Sequence, residues 1–436
     1  MTHLPALIEH RLEHAGPIRV AVIGAGKFAS MFLAQVPSSP HIDVVAIADL
    51  DVDRARAACA NVGWPEEMIA GTVFTNDGDF AIEREAVEVV IEATGSPTAG
   101  IKHARCAIRE GRHIVMVNVE ADVLAGPLLA REARAAGVVY AMAYGDQPAL
   151  VCEMVDWART CGFNVVCAGK GTKYLPEYHA STPDTVWPYY GRSAEDAAAA
   201  GMNPQMFNSF LDGTKSSIEM AAIANACGLT PPQDGLAFPP CGADDLHSML
   251  IPRAAGGVLE HAGTVEVVSS LHRDGRDVER DLRWGVYAVF EALNDYAAAC
   301  FQQYGLPTDA TGRYAALYRP YHLIGLELNV SIVNAALRGE ATGATREWNA
   351  DVVAVAKRAL KTGDTLDGEG GYTVWGKVVP AAVSARMDAL PIGLAHGIDV
   401  THDIAEGEVL TSASVTATDN SEAAAVRRQM VQAYST

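Results

Sequence analysis

The stretch Ile18-Arg19-Val20-Ala21-Val22-Ile23-Gly24-Ala25-Gly26-Lys27-Phe28-Ala29 decides how the first third of the chain must be read. An apolar, β-branched run ends in a glycine turn, and a helical stretch begins at Lys27, which is the context that gives a G-x-G-x-x-G/A pattern its meaning. Gly24 permits the tight turn, Gly26 lets a pyrophosphate approach the backbone, and Ala29 keeps helix and strand close. The helix start supplies free N–H groups and partial positive charge to phosphates. Asp49 closes the next apolar run 20 residues after Ala29, where a carboxylate accepts hydrogen bonds from an adenine ribose. Asp49 repels a 2′-phosphate, whereas Arg54 and Arg56 just beyond it could pair with one. Both NAD(H) and NADP(H) therefore stay open as the cofactor.

Working outward, apolar runs at 43–50, 87–94, 112–119 and 138–143 alternate with helical segments. Such alternation predicts an α/β fold with a doubly wound parallel sheet covered on both faces. Thr94 and Gly95 form a small turn at the end of the run at 87–94, and Asn118 lies at the end of the run at 112–119. Strand ends of this kind border the crevice in which dinucleotides lie, so with Lys27 and Phe28 they complete the expected cofactor set.

Composition narrows the function classes. With 33 basic residues against 53 acidic ones the net charge is −20, which disfavours nucleic acid and anionic membrane as partners. Glu9, Arg11 and Glu13 interrupt the start of the chain where a signal peptide needs an unbroken apolar segment. We expect there an amphipathic helix with Leu4, Leu7, Ile8 and Leu12 on one face. The eight cysteines are scattered without a Cys-x-x-Cys pair, so neither a disulfide framework nor a zinc site is expected and a cytoplasmic setting is the simplest. His10 and His14 lie four apart with no evident acidic third ligand, and no metal site is expected there.

Beyond Tyr144 the pattern changes to a less regular α+β layout: a helix near 148–161, a strand at 164–171, a long aromatic segment, and helical stretches from Ser331 to Leu360. Lys170, Lys173 and Lys215 all sit close to glycines, in GKGTK and DGTK, an arrangement that admits an anionic ligand to backbone and ammonium alike. Lys215 and Glu219 share a helix face, either as a surface ion pair or as a coupled acid and base. Arg319, Tyr321 and His322 cluster about Pro320, which is expected to open a helix. Arg319 suits bidentate binding of phosphate or carboxylate, and His322 suits proton transfer.

From the GAGKFA turn to about residue 330 the chain resembles the homoserine dehydrogenase-like oxidoreductases. The segment from His402 to Thr411 resembles an SAF domain, and the combination is similar to the 1-deoxy-D-xylulose 5-phosphate reductoisomerase-like proteins. Two departures stand out. Asn118-Val119 replaces the Asn-Lys pair of homoserine dehydrogenases, and Lys215 with Glu219 exchanges the charges of their Asp and Lys, which makes homoserine an improbable substrate. The reductoisomerase-like resemblance implies that Lys170, Lys173 and Arg319 hold a phosphate, while Lys215 or His322 polarises the carbonyl or shuttles the proton. A divalent cation could bridge vicinal oxygens, although no compact acidic cluster calls for one.

The expected organisation is a helix at 1–16, a Rossmann domain at 17–146, a catalytic and oligomerisation domain at 147–360 and a small β-rich, SAF-like domain at 361–436. The expected protein is an NAD(P)-dependent oxidoreductase acting on a small phosphorylated or carboxylated substrate, as a homodimer or homotetramer. Its alternatives are a dehydrogenase of a hydroxy acid or homoserine-like alcohol, and a non-catalytic ligand sensor whose SAF tail binds a partner.

Overall fold

The computed structural model describes residues 3–416 and 421–434. It divides into two compact units, one of Met1–Glu153, His322–Arg346 and Ala425–Met430, the other of Met154–Tyr321, Glu347–Ala424 and Val431–Thr436.

The first unit holds six parallel strands: β1 (Ile18–Ile23), β2 (Ile42–Ala48), β3 (Val73–Thr75), β4 (Val89–Glu92), β5 (His113–Met116) and β6 (Tyr140–Met142). Their order, β3-β2-β1-β4-β5-β6, is that of a doubly wound sheet whose direction of growth reverses between β1 and β4. Val20, Ala21 and Val22 are fully buried on alternate faces of β1, as a strand covered on both sides requires. Side chains at the strand–helix junctions fix where the helices begin. Asp51 accepts the Arg54 N–H, Ser96 the Ala99 N–H and Asn118 the Ala121 N–H, capping helices Val52–Asn61, Pro97–Arg109 and Val119–Ala135.

Helix Leu4–Ala15 lays Leu4 and Ile8 on the core of this unit, but Leu12 is exposed, so the expected apolar stripe stops one turn early. Arg11 takes over at that end, bonding Glu88 at 2.8 Å and the carbonyl of Gly16 at 3.0 Å.

Segment 322–346 also belongs to this unit, and here two expectations are corrected. Pro320 opens no helix: the chain turns through 324–328 and helix Asn329–Val333 follows. The cause is Gly325, at φ +77°, where a Cβ would stand 2.8 Å from the Phe28 carbonyl; a left-handed residue pressed onto a neighbouring helix interrupts any regular turn. Nor do helical stretches run to Leu360, because Gly339 (φ +66°) ends them and residues 350–356 form a fully buried strand.

The second unit has a four-stranded sheet of β7 (Asn164–Thr172), β8 (Thr264–Ser269), β9 (Val286–Glu291) and β10 (Tyr314–Arg319), in the order β10-β9-β7-β8. Two small antiparallel pairs follow, β11 (Ala350–Ala356) with β13 (Val374–Pro380) and β12 (Thr365–Asp367) with β14 (His396–Asp399). Helix Thr214–Cys227 is buried along nearly its whole length and contacts β7, β8, β11 and β13. A helix enclosed on all sides must satisfy its polar groups internally. Asn225 does so by accepting the Asn349 and Ala350 N–H groups, each at 2.8 Å. Among the described residues no helix is long and apolar enough to cross a membrane.

Candidate functional site

The dinucleotide turn is built as its glycines require. Gly24 sits at φ +93°, and a Cβ there would lie 2.7 Å from the Ala93 carbonyl oxygen, because β4 passes directly behind the turn. At Gly26 a Cβ would meet nothing within 4 Å, so the missing side chain leaves open space over the backbone. Ala29 is buried against the sheet, whereas Gly26 and Lys27 are exposed and Phe28 is half-buried. One glycine is thus demanded by the fold and the other by whatever approaches the turn from outside, as a pyrophosphate does.

Asp49 faces this turn from the end of β2. One carboxylate oxygen accepts the Ala25 N–H at 2.8 Å; the other accepts the Asp51 N–H at 2.9 Å and the Arg54 guanidinium at 2.7 Å. Burial works to raise its pKa, but these N–H donors and Arg54 outweigh it and hold the carboxyl below its ordinary value. Arg56 instead lies over the Phe74 ring at 4.4 Å. At the ends of β4 and β5 the Thr94 hydroxyl donates to Glu92 at 2.6 Å, and the Asn118 amide donates to the Ser96 carbonyl at 2.8 Å and to Thr94 at 3.3 Å. Thr94, Ser96 and Asn118 are therefore one hydrogen-bonded group around Gly95. Its anchor, the fully buried Glu92, also meets His103 at 3.1 Å and escaped the sequence reading; a lone Glu closing an apolar strand was the available signal.

In the second unit Lys170 and Glu219 form an ion pair, with side chains 7% and 3% exposed. Lys170 points from β7 onto helix Thr214–Cys227, so the carboxylate read as a helix-face partner of Lys215 meets Lys170. Lys215, half-buried, lies one helical turn before Glu219. Lys173, just past β7, donates to the Tyr189 carbonyl, and its pKa is lowered by burial and by the neighbouring Arg283. Arg319 ends β10 with its guanidinium 5.5 Å from the centre of the exposed Tyr321 ring. Tyr321 and His322 follow directly in the chain, two and three residues beyond Arg319.

The turn that carries Lys215 is held by residues that sequence reading passed over. Asp212 is fully buried; its carboxylate accepts the Thr214 N–H at 2.8 Å and pairs with Lys357 at 2.7 Å. Lys357 also donates to the carbonyls of Ser181 and Gly371, at 2.8 and 2.7 Å, so its three N–H groups have three acceptors. The Thr214 hydroxyl accepts the Gly376 N–H at 2.8 Å. His179 donates from Nδ1 to the Asp212 carbonyl at 2.7 Å and accepts the Tyr174 hydroxyl at Nε2, 2.9 Å away. Burial lowers the His179 pKa, which fits that neutral tautomer, and its ring stacks on Trp375 at 4.0 Å. Lys357 lies 145 positions from Asp212 in the chain, too far for any local pattern to pair them.

Comparison with known proteins matches residues 24–142 to the NAD-binding domain of homoserine dehydrogenase and residues 145–328 to the catalytic domain of the oxidoreductase DRL. No curated protein matches the chain. Among solved structures, a 3-ketoreductase from Actinomadura kijaniata in complex with TDP-benzene and NADP is 20% identical over 37% of this chain and 49% of its own, with a TM-score of 0.26. A probable dehydrogenase from Thermotoga maritima is 14% identical over 74% of this chain and 90% of its own, with a TM-score of 0.39. Myo-inositol dehydrogenase from Lactobacillus casei, in complex with NAD(H) and myo-inositol, is 15% identical over 38% and 50%, with a TM-score of 0.30. The chain spans about half the length of the first of these. Residues 24–142 are thus similar to an NAD-binding domain of the homoserine dehydrogenase type and residues 145–328 to an oxidoreductase catalytic domain, and the NAD-binding match supports a nicotinamide dinucleotide as cofactor.

Proposed function

We propose that this NAD(P)-dependent oxidoreductase reduces a small phosphorylated sugar or polyol precursor, and specifically that it converts 1-deoxy-D-xylulose 5-phosphate to 2-C-methyl-D-erythritol 4-phosphate. The observation that carries the reading is the buried Lys170–Glu219 pair beside Lys215, an acid–base couple withdrawn from water in a chain of net charge −20. Gly24, Gly26, Lys27, Phe28, Ala29, Asp49, Arg54, Thr94, Gly95 and Asn118 would hold the coenzyme. The open space at Gly26 and the carboxylate at Asp49 suit its pyrophosphate and ribose. Arg54 could turn from Asp49 to a 2′-phosphate, so either coenzyme can be accommodated.

The coenzyme supplies the hydride that reduces the rearranged aldehyde. The chain's part is to polarise the carbonyl and deliver one proton to the alkoxide oxygen as it forms. Lys215 would stabilise the developing charge, and Lys170 would donate the proton with Glu219 resupplying it. His322 would be a second proton carrier, Lys173 would assist in catalysis as well as in holding the phosphate, and Lys170, Arg319 and Tyr321 would contribute to substrate binding. Residues 17–146, 147–360 and 361–436 are read as Rossmann, catalytic and SAF-like domains after the helix at 1–16, in a homo-oligomer working in the cytoplasm.

The test is NADPH consumption with 1-deoxy-D-xylulose 5-phosphate, analysis of the product's carbon skeleton, and repetition with Lys215→Ala and Glu219→Gln. The reading expects a rearranged, reduced product and a fall in kcat of about 10²-fold or more for each variant. No consumption, or an unrearranged product, removes the reductoisomerase assignment. Unchanged turnover in both variants removes these residues from the chemistry.

A further inference from the structure

We propose that Lys173 and Arg283 together form an anion-binding subsite that takes the phosphate of a phosphomonoester substrate. The inference rests on the reading of the substrate as phosphorylated, and it adds a residue, Arg283, that no motif singles out.

Backbone geometry brings the two cations together. A Cβ at Gly171 would run into the Leu282 carbonyl and stand 2.9 Å from the Arg283 nitrogen, and the Gly171 N–H donates to Gly285 at 3.1 Å. The second glycine of GKGTK therefore exists so that segment 281–285 can lie directly on the end of β7. That contact sets Arg283 beside Thr172 and Lys173. The Arg283 charge is felt at the Lys173 ammonium, which it pulls down after burial has already done so, and at the hydroxyls of Tyr178 and Tyr190.

Two half-buried cations whose charges reach one another favour an anion bound beside both. Among the described residues none supplies it by an ion pair: Lys173 donates to the Tyr189 carbonyl, and the Asp281 carboxylate accepts the Arg283 backbone N–H at 2.8 Å. Asp277 acts on Lys173, and Glu177 on Tyr178, only as more distant charges. The Arg283 guanidinium is held instead over the Trp284 ring, 4.9 Å from its centre, while Trp284 itself is 62% exposed. The subsite thus offers a planar fork already oriented by an aromatic face and a point charge within electrostatic reach of it. Phosphate dianion matches that set, since the fork takes two of its oxygens and the ammonium a third.

The test is titration of the full chain with inorganic phosphate at low ionic strength, read by calorimetry and by 31P line width. Saturable binding at one site is expected. Arg283→Gln and Lys173→Gln should each weaken it at least tenfold, Arg283→Lys less so, and Arg276→Gln, whose exposed side chain pairs with Asp274, not at all. Absence of saturable binding, or equal affinity in Arg283→Gln and wild type, overturns the proposal. If Arg283→Gln fails to fold by its melting curve, Lys173→Gln and Arg283→Lys decide on the same criterion. Displacement of phosphate by 1-deoxy-D-xylulose 5-phosphate and not by L-homoserine is expected; the reverse order assigns the site to carboxylates and overturns it. Displacement by the ketose phosphate without any turnover sinks the proposed reaction while leaving this subsite standing.

Discussion

Replacing Lys357 with methionine keeps the aliphatic stem and removes its three ammonium donors, leaving Asp212 only the Thr214 N–H. Both side chains are essentially inaccessible, Lys357 at 2% and Asp212 at 0%. Stripping one partner from a buried ion pair costs about 3–5 kcal/mol. Of the two carbonyls that lose a donor, Ser181 keeps the Asn208 amide at 3.0 Å, so only Gly371 is stranded, adding about 1 kcal/mol. The expected loss is therefore about 4–6 kcal/mol. At roughly 2–4 °C per kcal/mol for a unit of this size, melting should fall by about 10–20 °C. Asp212→Asn alone should cost less, since Lys357 keeps two carbonyl acceptors. In Lys357→Met with Asp212→Asn the buried charge is gone from both sides, so the combined loss should undershoot the sum of the singles by about 1–3 kcal/mol. Scanning calorimetry of the full chain for all four proteins reads this directly. A Lys357→Met loss below about 1 kcal/mol, or losses that simply add, would refute the clamp as the device holding the Lys215 turn.

Three further outcomes follow from the same structure. Gly26→Val should abolish coenzyme binding, by more than about tenfold, while leaving the melting temperature unchanged, because its Cβ meets open space. Gly24→Val should damage both, since the Ala93 backbone cannot yield and the φ of +93° disfavours a side chain; circular dichroism and coenzyme fluorescence separate the two cases. Asp122 is fully buried and burial raises its pKa to about 6, despite hydroxyl donation from Thr345 and Tyr140. Its neutral form is favoured in the folded chain, so its contribution is complete below the ordinary value of 3.8 and is lost as pH rises to about 6. The loss amounts to about 3 kcal/mol, and urea unfolding of Asp122→Asn between pH 4 and 7 should lack that slope.

The first unit was legible because its signals are local. A glycine that must adopt positive φ, an adjoining glycine that must leave space and a carboxylate one strand later all fall within Gly24–Asp49. The second unit hid more. Lys357 ends an apolar run and looks like an ordinary strand terminus, yet it is buried because Asp212, Ser181 and Gly371 surround its ammonium. Arg283 gave no sign at all, since what places it is the packing of segment 281–285 on Gly171. Helix Thr214–Cys227 could be read, but its Glu219 turns to Lys170, a partner on β7 that periodicity along the helix cannot disclose. The helix expected after Pro320 failed for a similar reason, as Gly325 answers to the Phe28 backbone rather than to its own neighbours.

Fluorescence titration of the full chain with NADPH and NADH, run in parallel on Gly26→Val, goes straight to the claim that the turn after β1 seats a nicotinamide coenzyme. Saturable binding of at least one coenzyme by the wild type, lost in a Gly26→Val protein that melts normally, is the result expected. Failure of both coenzymes to bind, or binding that survives the substitution undiminished, would contradict it.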